Sequence, residues 1–497
     1  MPRDHIATLH SLAYHALGSP KVAERGALLR QWNEEQRAFQ IDGGAAIDLE
    51  DGYTPQNQGN DALGLYNLAR MLMLPKGHIL WHRCEAFSKR WEDFKQQTGS
   101  MDFADLITHA INDLPRCSLD PGVMVLDEAQ DTSPALLALF RKWSGHCEEA
   151  LVAGDPAQVL FSWIGASPAH LLEPLPPEQT RLLHQSYRLP RRVQDHAERW
   201  LSLHSGGMMA GREYRPTERE GQVTHEWATW QEPEEIAAMV RQRLDRWEPQ
   251  AGATTDAPKY DVMVLATCAY MLTPIVAALR SAGIPFSNVY RMTNGAWNPL
   301  GAKREGEIRA VDRLLAFLRP DSDVWGKQSR DWTSSEVAQW AAMLRADAFI
   351  KRGMKQRLID GLGKEHVSPS DLFGYFDEEN FMEMALLSHE WLASHATKAA
   401  EGPLAYASGL LREGGPMALG VAPRVAVGTV HSVKGGEARC VIIVPDLSWA
   451  AATERASGEE GWDASVRVGY VALTRSSEEV VLCSPAGPPE RRAPSLW

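Results

Sequence analysis

Apolar and polar positions divide the chain into two kinds of territory. Short β-branched runs followed by helical patterns occupy 123–205, 261–290 and 424–483, whereas 20–110 and 305–410 are helical and polar. Val123-Met124-Val125-Leu126 is a short apolar run, the pattern of a fully buried parallel strand. Leu151-Val152-Ala153 and Arg181-Leu182-Leu183-His184 predict two further strands. Asp261 to Leu265, Arg424 to Val430, Val441 to Val444 and Val480 to Cys483 predict another set later in the chain. Strands alternating with helices mean parallel sheets covered on both faces. Two such blocks with helical insertions describe a two-lobed α/β protein. Residues 251–258 read as a flexible loop, 299–307 as turn-rich, and 413–420 and 484–497 as linkers.

Length and charge narrow the class. A chain of 497 residues is too long for one core, so roughly two to four domains are expected. No apolar run approaches the roughly 20 residues that span a bilayer, and Met1-Pro2-Arg3-Asp4-His5 opens no signal-type segment. A cytoplasmic protein with no membrane partner is expected. The cysteines at 84, 117, 147, 268, 440 and 483 lack metal-ligand spacing, so buried reduced thiols are expected. A net charge of -13 argues against coating nucleic acid by charge alone. It leaves room for a local groove with stacking side chains.

The strand ends carry the chemistry. Asp127 and Glu128 directly follow the first apolar run, and ligands of open α/β sheets sit at the carboxyl ends of strands. Two adjacent carboxylates there can divide labour, one holding a hydrated Mg²⁺ and the other activating water. Alone, the pair reads more readily as a strand ending in two solvated acids. Ser133-Pro134 supply a helix N-cap and a proline at the first helical position. After the second strand comes Gly154-Asp155-Pro156-Ala157-Gln158, where a glutamine can sense a phosphate without carrying charge. Trp163 follows, either core or a face on which a base stacks. Tyr187-Arg188 pairs a ring suited to a base with a guanidinium suited to a phosphate.

Val-Leu-Asp-Glu-Ala-Gln-Asp (125–131), Gly154 to Ala166 and Gln-Ser-Tyr-Arg (185–188) resemble motifs II, III and IV of UvrD/Rep-type superfamily 1 helicases. Thr429 to Glu437 and Arg467 to Arg475 are similar to motifs V and VI. Asp261 to Leu265, a helix, and Gly283-Ile284-Pro285-Phe286 resemble the opening of that family's second RecA-like domain. The wording of motifs III and IV is similar to bacteriophage-encoded members. The resemblance implies two RecA-like parallel-sheet domains of P-loop NTPase fold. The first would span 1–205, with a helical insertion at about 20–100. The second would combine 206–300 with 420–497 around a helical insertion at 300–420.

The resemblance also assigns roles. Asp127 would hold Mg²⁺ and Glu128 would be the general base. Gln158 would couple nucleotide state to DNA, Tyr187 would stack on adenine, and Arg188 would meet the γ-phosphate. Glu437 would bind ribose, with Lys434 and Gly435 near the phosphates, and Arg475 would be the arginine finger. Trp163, Thr429, His431, Thr8 and His10 would touch single-stranded DNA. The implied activity is ATP-dependent 3′-to-5′ translocation and unwinding, in repair or replication, on single-stranded DNA or duplex with a single-stranded tail.

Three departures from the family pattern stand out. Ile164 replaces a frequent arginine, and Gly436 replaces an apolar residue, which predicts looser packing there. No Gly-x-x-x-x-Gly-Lys-Ser/Thr loop occurs in the 497 residues. A first domain without its phosphate-binding strand is therefore expected, with a hydrophobic sheet edge left open. The alternative is a catalytically inactive or split DNA-binding subunit that needs a separate P-loop polypeptide.

Overall fold

The computed structural model describes residues 6–41, 58–162, 165–167, 177–205, 213–247, 258–288, 308–318, 331–415, 419, 423–488 and 492–497. Its centre is a six-stranded, all-parallel sheet. The strand order is Gln222–Glu226, Ser476–Cys483, Ala438–Val444, Tyr260–Ala266, Val425–Thr429 and Phe286–Asn288. The Tyr260–Ala266 strand is buried along its whole length. Its residues alternate between two cores, as a period of two requires. Val262, Val264 and Ala266 face one core, and Met263 and Leu265 face the other. Ala438–Val444 divides in the same way, Cys440, Ile442 and Val444 against Val441 and Ile443.

The first core reaches helices Pro233–Arg246 and Ala269–Ser281 and the helices of residues 310–414. The second core holds Val193, Ala197 and Leu201 of helix Arg191–Leu201 and Val466 and Tyr470 of helix Glu459–Leu473. Those two helices approach closely at Gly469. A Cβ there would lie 2.4 Å from Trp200 Nε1, the atom that donates to the Val466 carbonyl at 2.8 Å. Gly469→Ala is therefore expected to destabilise by about 1–3 kcal/mol through overpacking. Alanine's better helix propensity offsets at most about 1 kcal/mol of that. The check is a lower thermal midpoint, and an unchanged midpoint would refute the close approach.

The first lobe carries a smaller sheet. Val123–Leu126 pairs in parallel with Glu149–Val152, forming a two-stranded sheet. The expected burial is corrected here. Val123, Val125, Leu151 and Val152 are 48%, 52%, 53% and 45% exposed, because the described residues place no further strand beside them. Only Met124 of the first strand is fully buried, against Leu139 and Phe140 of the following helix. That helix, Pro134–Ser144, starts as predicted. Ser133 is the N-cap, its hydroxyl accepting from Leu136 N–H, and Pro134 is the first helical residue. The expected strand at Arg181–His184 does not form. The segment makes one isolated bridge, Gln185 to Arg215, and leaves Leu182 and Leu183 exposed.

Both helical blocks also contain short ladders. In the first, Lys21–Val22 pairs in parallel with Ser100–Met101. In the second, Trp332–Thr333 pairs antiparallel with His366–Val367. The six cysteines are free thiols, five of them buried and Cys147 partly so. No helix of the described residues is long and apolar enough to cross a membrane.

The first helical block buries charge as well as rings. Asp102 caps helix Phe103–Asp113 in a reciprocal box with Asp105. Its carboxylate accepts from Arg70 at 2.6 Å, Lys95 at 3.0 Å and Trp91 Nε1 at 2.9 Å. Glu92, Asp102 and Asp105 lie close enough to hold a cation. Arg70 and Lys95 already pair with them, so the cluster is an ion network around buried Asp102 with Glu92 at its exposed rim. Glu24, next to it, accepts from Phe103 N–H at 3.0 Å. Burial, reinforced by Asp102, pushes its carboxyl up to about 7. A raised carboxyl holds its proton in the folded state, so this stability is full below about pH 4.5 and lost as pH rises through 7. Glu24→Gln should therefore leave stability near pH 5 unchanged and raise it at pH 8, by up to about 3 kcal/mol. Urea unfolding at the two pH values measures this, and an equal effect at both would refute it.

Candidate active site

Glu128, Gln158, Arg188, Lys434, Glu437 and Arg475 meet where the small sheet faces the large one. Asp127 and Glu128 leave the carboxyl end of Val123–Leu126 as exposed side chains. Glu128 has φ +51°, a left-handed conformation that non-glycine residues rarely adopt. Neighbours hold it there. Glu128 N–H donates to Asp127 Oδ1 at 2.9 Å, and Asp131 N–H to the Glu128 carbonyl at 3.0 Å. The amide of buried Gln130 donates to the Glu128 carboxylate. Gln130 Oε1 in turn accepts from Asp155 N–H at 3.1 Å, tying together the two strand ends of the small sheet.

Gln158 lies on the second of those strand ends. Its Nε2 donates to Asp155 Oδ2 at 2.9 Å, and its Oε1 accepts from Arg475 at 2.9 Å. Arg475 follows helix Glu459–Leu473 on the large-sheet side, so this bond crosses between the two sheets. It is 2% exposed, anchored through Nε to the Val471 carbonyl at 3.0 Å. Burial lowers its guanidinium to about 10, with Arg188 repelling it further and Glu128 opposing. It stays charged at neutral pH. Arg188 donates to Glu437 at 2.7 Å and to the Thr474 carbonyl at 3.1 Å. The two guanidiniums are close enough to repel, and carboxylates of both lobes, Glu437 on Arg188 and Glu128 near Arg475, offset them. Tyr187 beside them is 88% exposed, its ring unburied.

Lys434 does not stand free. Its Nζ donates to the Asp131 carboxylate and to the Gln158 carbonyl at 2.6 Å, with Glu128 Oε2 at 3.6 Å. It is a second bridge between the sheets. Gly435 turns the chain with φ +80°. At Gly436 the expected loosening is corrected, since the turn closes through Gly436 N–H to the Val433 carbonyl at 2.8 Å. A Cβ there would meet that carbonyl at 3.0 Å.

The residues expected to touch DNA are divided. Thr429 is fully buried, and its Oγ1 accepts from Ser432 N–H at 3.2 Å, capping the turn after its strand. His431 is partly buried, with its ring 5.9 Å from that of Phe161. Burial outweighs a backbone hydrogen bond at Leu160 and lowers the ring to about 4, so it is neutral at physiological pH. Thr8 is exposed and caps helix Leu9–Ala16, accepting from Ser11 N–H at 3.1 Å. His10 is half-buried on that helix, and burial lowers its pKa. Neither makes a hydrogen bond or ion pair with the Gln158–Arg475 cluster among the described residues. Trp163 and Ile164 lie outside the described residues.

Four residues of the site were not singled out from sequence, namely Gln130, Asp131, Asp155 and Thr474. The first two stand in the Asp-Glu-Ala-Gln-Asp segment, where two further polar groups after the acids were the available signal.

A parallel-sheet α/β protein of this kind is consistent with a RecA-like fold. The model of the UvrD/REP helicase N-terminal domain matches residues 53–175. DNA helicase II of Escherichia coli (strain K12) is similar at 25% identity over 278 residues, covering 54% of this chain and 31% of the relative. DNA helicase II of Salmonella typhimurium matches to the same extent. The match thus spans about a third of those relatives' length. With motifs II to VI in order, the chain is similar to UvrD-type superfamily 1 helicases.

Proposed function

We propose that the protein is an ATP-dependent motor on single-stranded DNA, hydrolysing ATP between its two lobes. The observation that carries this reading is the Arg475–Gln158 bond across the lobes, beside the Arg188–Glu437 pair. Asp127 has one carboxylate oxygen engaged by Glu128 N–H and is otherwise open, which fits a hydrated Mg²⁺ shared with phosphates. The ion, when bound, would neutralise charge on those phosphates. Glu128, beside it, orients and deprotonates water. Arg188 and Arg475 receive the charge that develops on the transferred phosphoryl group, and Tyr187 stacks on the base. Because Arg475 comes from the opposite lobe, turnover depends on lobe closure. The family resemblance adds 3′-to-5′ polarity and a cytoplasmic role in repair or replication.

A second reading concerns completion of the site, and the open apolar face at Val123, Val125, Leu151 and Val152 favours it. A strand bearing a phosphate-binding loop, from the same or another polypeptide, would cover that face and supply the phosphate cradle missing from these 497 residues. The alternative, an inactive DNA-binding subunit, leaves the acids and the finger without a use. Steady-state ATPase with saturating single-stranded DNA, alone and with a phosphate-loop segment added, tests both readings. DNA-stimulated turnover only after addition is expected. Turnover by the lone chain would refute completion, and none in either case would refute the motor.

A further inference from the structure

A groove on the far edge of the large sheet belongs to none of this machinery. Among the described residues the Gln222–Glu226 strand is the outermost of that sheet and pairs on one side only, with Ser476–Cys483. Between it and helix Arg191–Leu201 lies a cavity of about 230 Å³, lined by Arg192, Asp195, His196 and Arg199 of the helix and Val223 and His225 of the strand. Arg192 and Arg199 are two helical turns apart, roughly 10 Å along one face. Each guanidinium is anchored by its Nε. Arg192 donates to Glu220 at 2.9 Å, and Arg199 to the Asp195 carbonyl at 3.1 Å. Their terminal nitrogens, the pair that grips a phosphate in bidentate fashion, make no hydrogen bond among the described residues. His196 between them is pushed down by burial first, then by Arg199 and His225.

The strand supplies the second element. Val223 and His225 are alternate residues that line the groove from one face of the strand, and Trp227 follows directly after the strand's last residue, Glu226. Trp227 is 79% exposed, with the Arg492 guanidinium 5.9 Å from its ring centroid. Two arginines in the groove and an open indole just past the strand stand on a protein of net charge -13. They match the pairing that single-stranded nucleic acid requires, where charge follows phosphates and a ring stacks on a base. An acidic peptide would use the cations and leave the ring idle.

We propose that this groove binds the phosphodiester backbone of a single nucleic-acid strand, with Trp227 stacking on one of its bases. The proposal rests on reading the protein as a DNA motor, and it adds a second track for the strand away from the nucleotide. Asp195 and Glu220 are the acids facing the groove, and Glu220 is shared between Arg191 at 3.6 Å and Arg192.

Anisotropy of a labelled oligo-dT strand, titrated with the full chain across a salt series, tests this. Arg192→Glu with Arg199→Glu should weaken binding about tenfold or more and flatten the salt slope by about 1.4 for two lost phosphate contacts. Trp227→Ala should weaken binding about 5- to 150-fold with the slope unchanged. Arg192→Lys with Arg199→Lys should keep the slope, which separates charge from folding. Poly-glutamate or inorganic phosphate, at matched charge, should displace little of the strand. Equal displacement by either competitor overturns the proposal in favour of an acidic polypeptide or a free-phosphate site. Unchanged affinity and slope in the glutamate variant overturns the groove while DNA binding stands. No binding by the unaltered chain overturns the DNA reading itself.

Discussion

Replacing Arg475 with alanine is expected to lower ATP turnover about 10³–10⁵-fold, the range an arginine finger supplies to phosphoryl transfer. The guanidinium is held by the Val471 carbonyl and reaches Gln158 across the lobes, so alanine removes both the charge and the cross-lobe contact. Arg475→Lys is expected to recover little. A lysine keeps the charge but lacks the planar fork that engages Val471, Thr474 and Gln158 together. The measurement is steady-state ATPase with saturating single-stranded DNA, on protein completed with its phosphate-loop segment, beside circular dichroism. Turnover within tenfold of the parent, with the fold intact, would remove Arg475 from the role of finger.

Glu128→Gln is expected to reduce turnover about 10²–10⁴-fold, the contribution of a positioned general base. Nucleotide and DNA binding should survive. Glutamine is nearly isosteric and keeps an oxygen to accept from the Gln130 amide, so the left-handed turn should hold. Single-turnover hydrolysis beside nucleotide affinity separates the two effects. Retained turnover within a few-fold would mean that another group activates water, and lost nucleotide affinity would mean that the turn itself collapsed.

Much of this site was legible because its residues lie in short segments just after strands. Val441 to Val444 and Val480 to Cys483 needed only the rule that uninterrupted apolar runs fill a parallel sheet, and both lie in it. The same rule misjudged Val123 and Val125. Burial depends on a neighbouring strand, and a local pattern does not report whether one is there. Arg181–His184 failed for a related reason, being apolar in its middle but lacking a partner along which to form a ladder. The ion pairs of the site could not be read at all. Lys434 meets Asp131, and Arg188 meets Glu437, across hundreds of residues, and no local spacing encodes such meetings. Thr429 shows the converse. Its hydroxyl suited a DNA contact by type, yet the backbone of the following turn claims it.

The short ladder joining Lys21–Val22 to Ser100–Met101 has a consequence for how such a chain changes over generations. The polypeptide enters the first helical block and leaves it at adjacent points, as a lane enters and leaves a cul-de-sac. Insertions and deletions between those points alter the block without displacing the two ends, so the small sheet and its acids keep their places. Lengthening a loop is entropically mild, about 0.6 kcal/mol for each doubling. This stretch of the gene is thus free to drift in size, whereas the segment from Val123 to Gln158 is not.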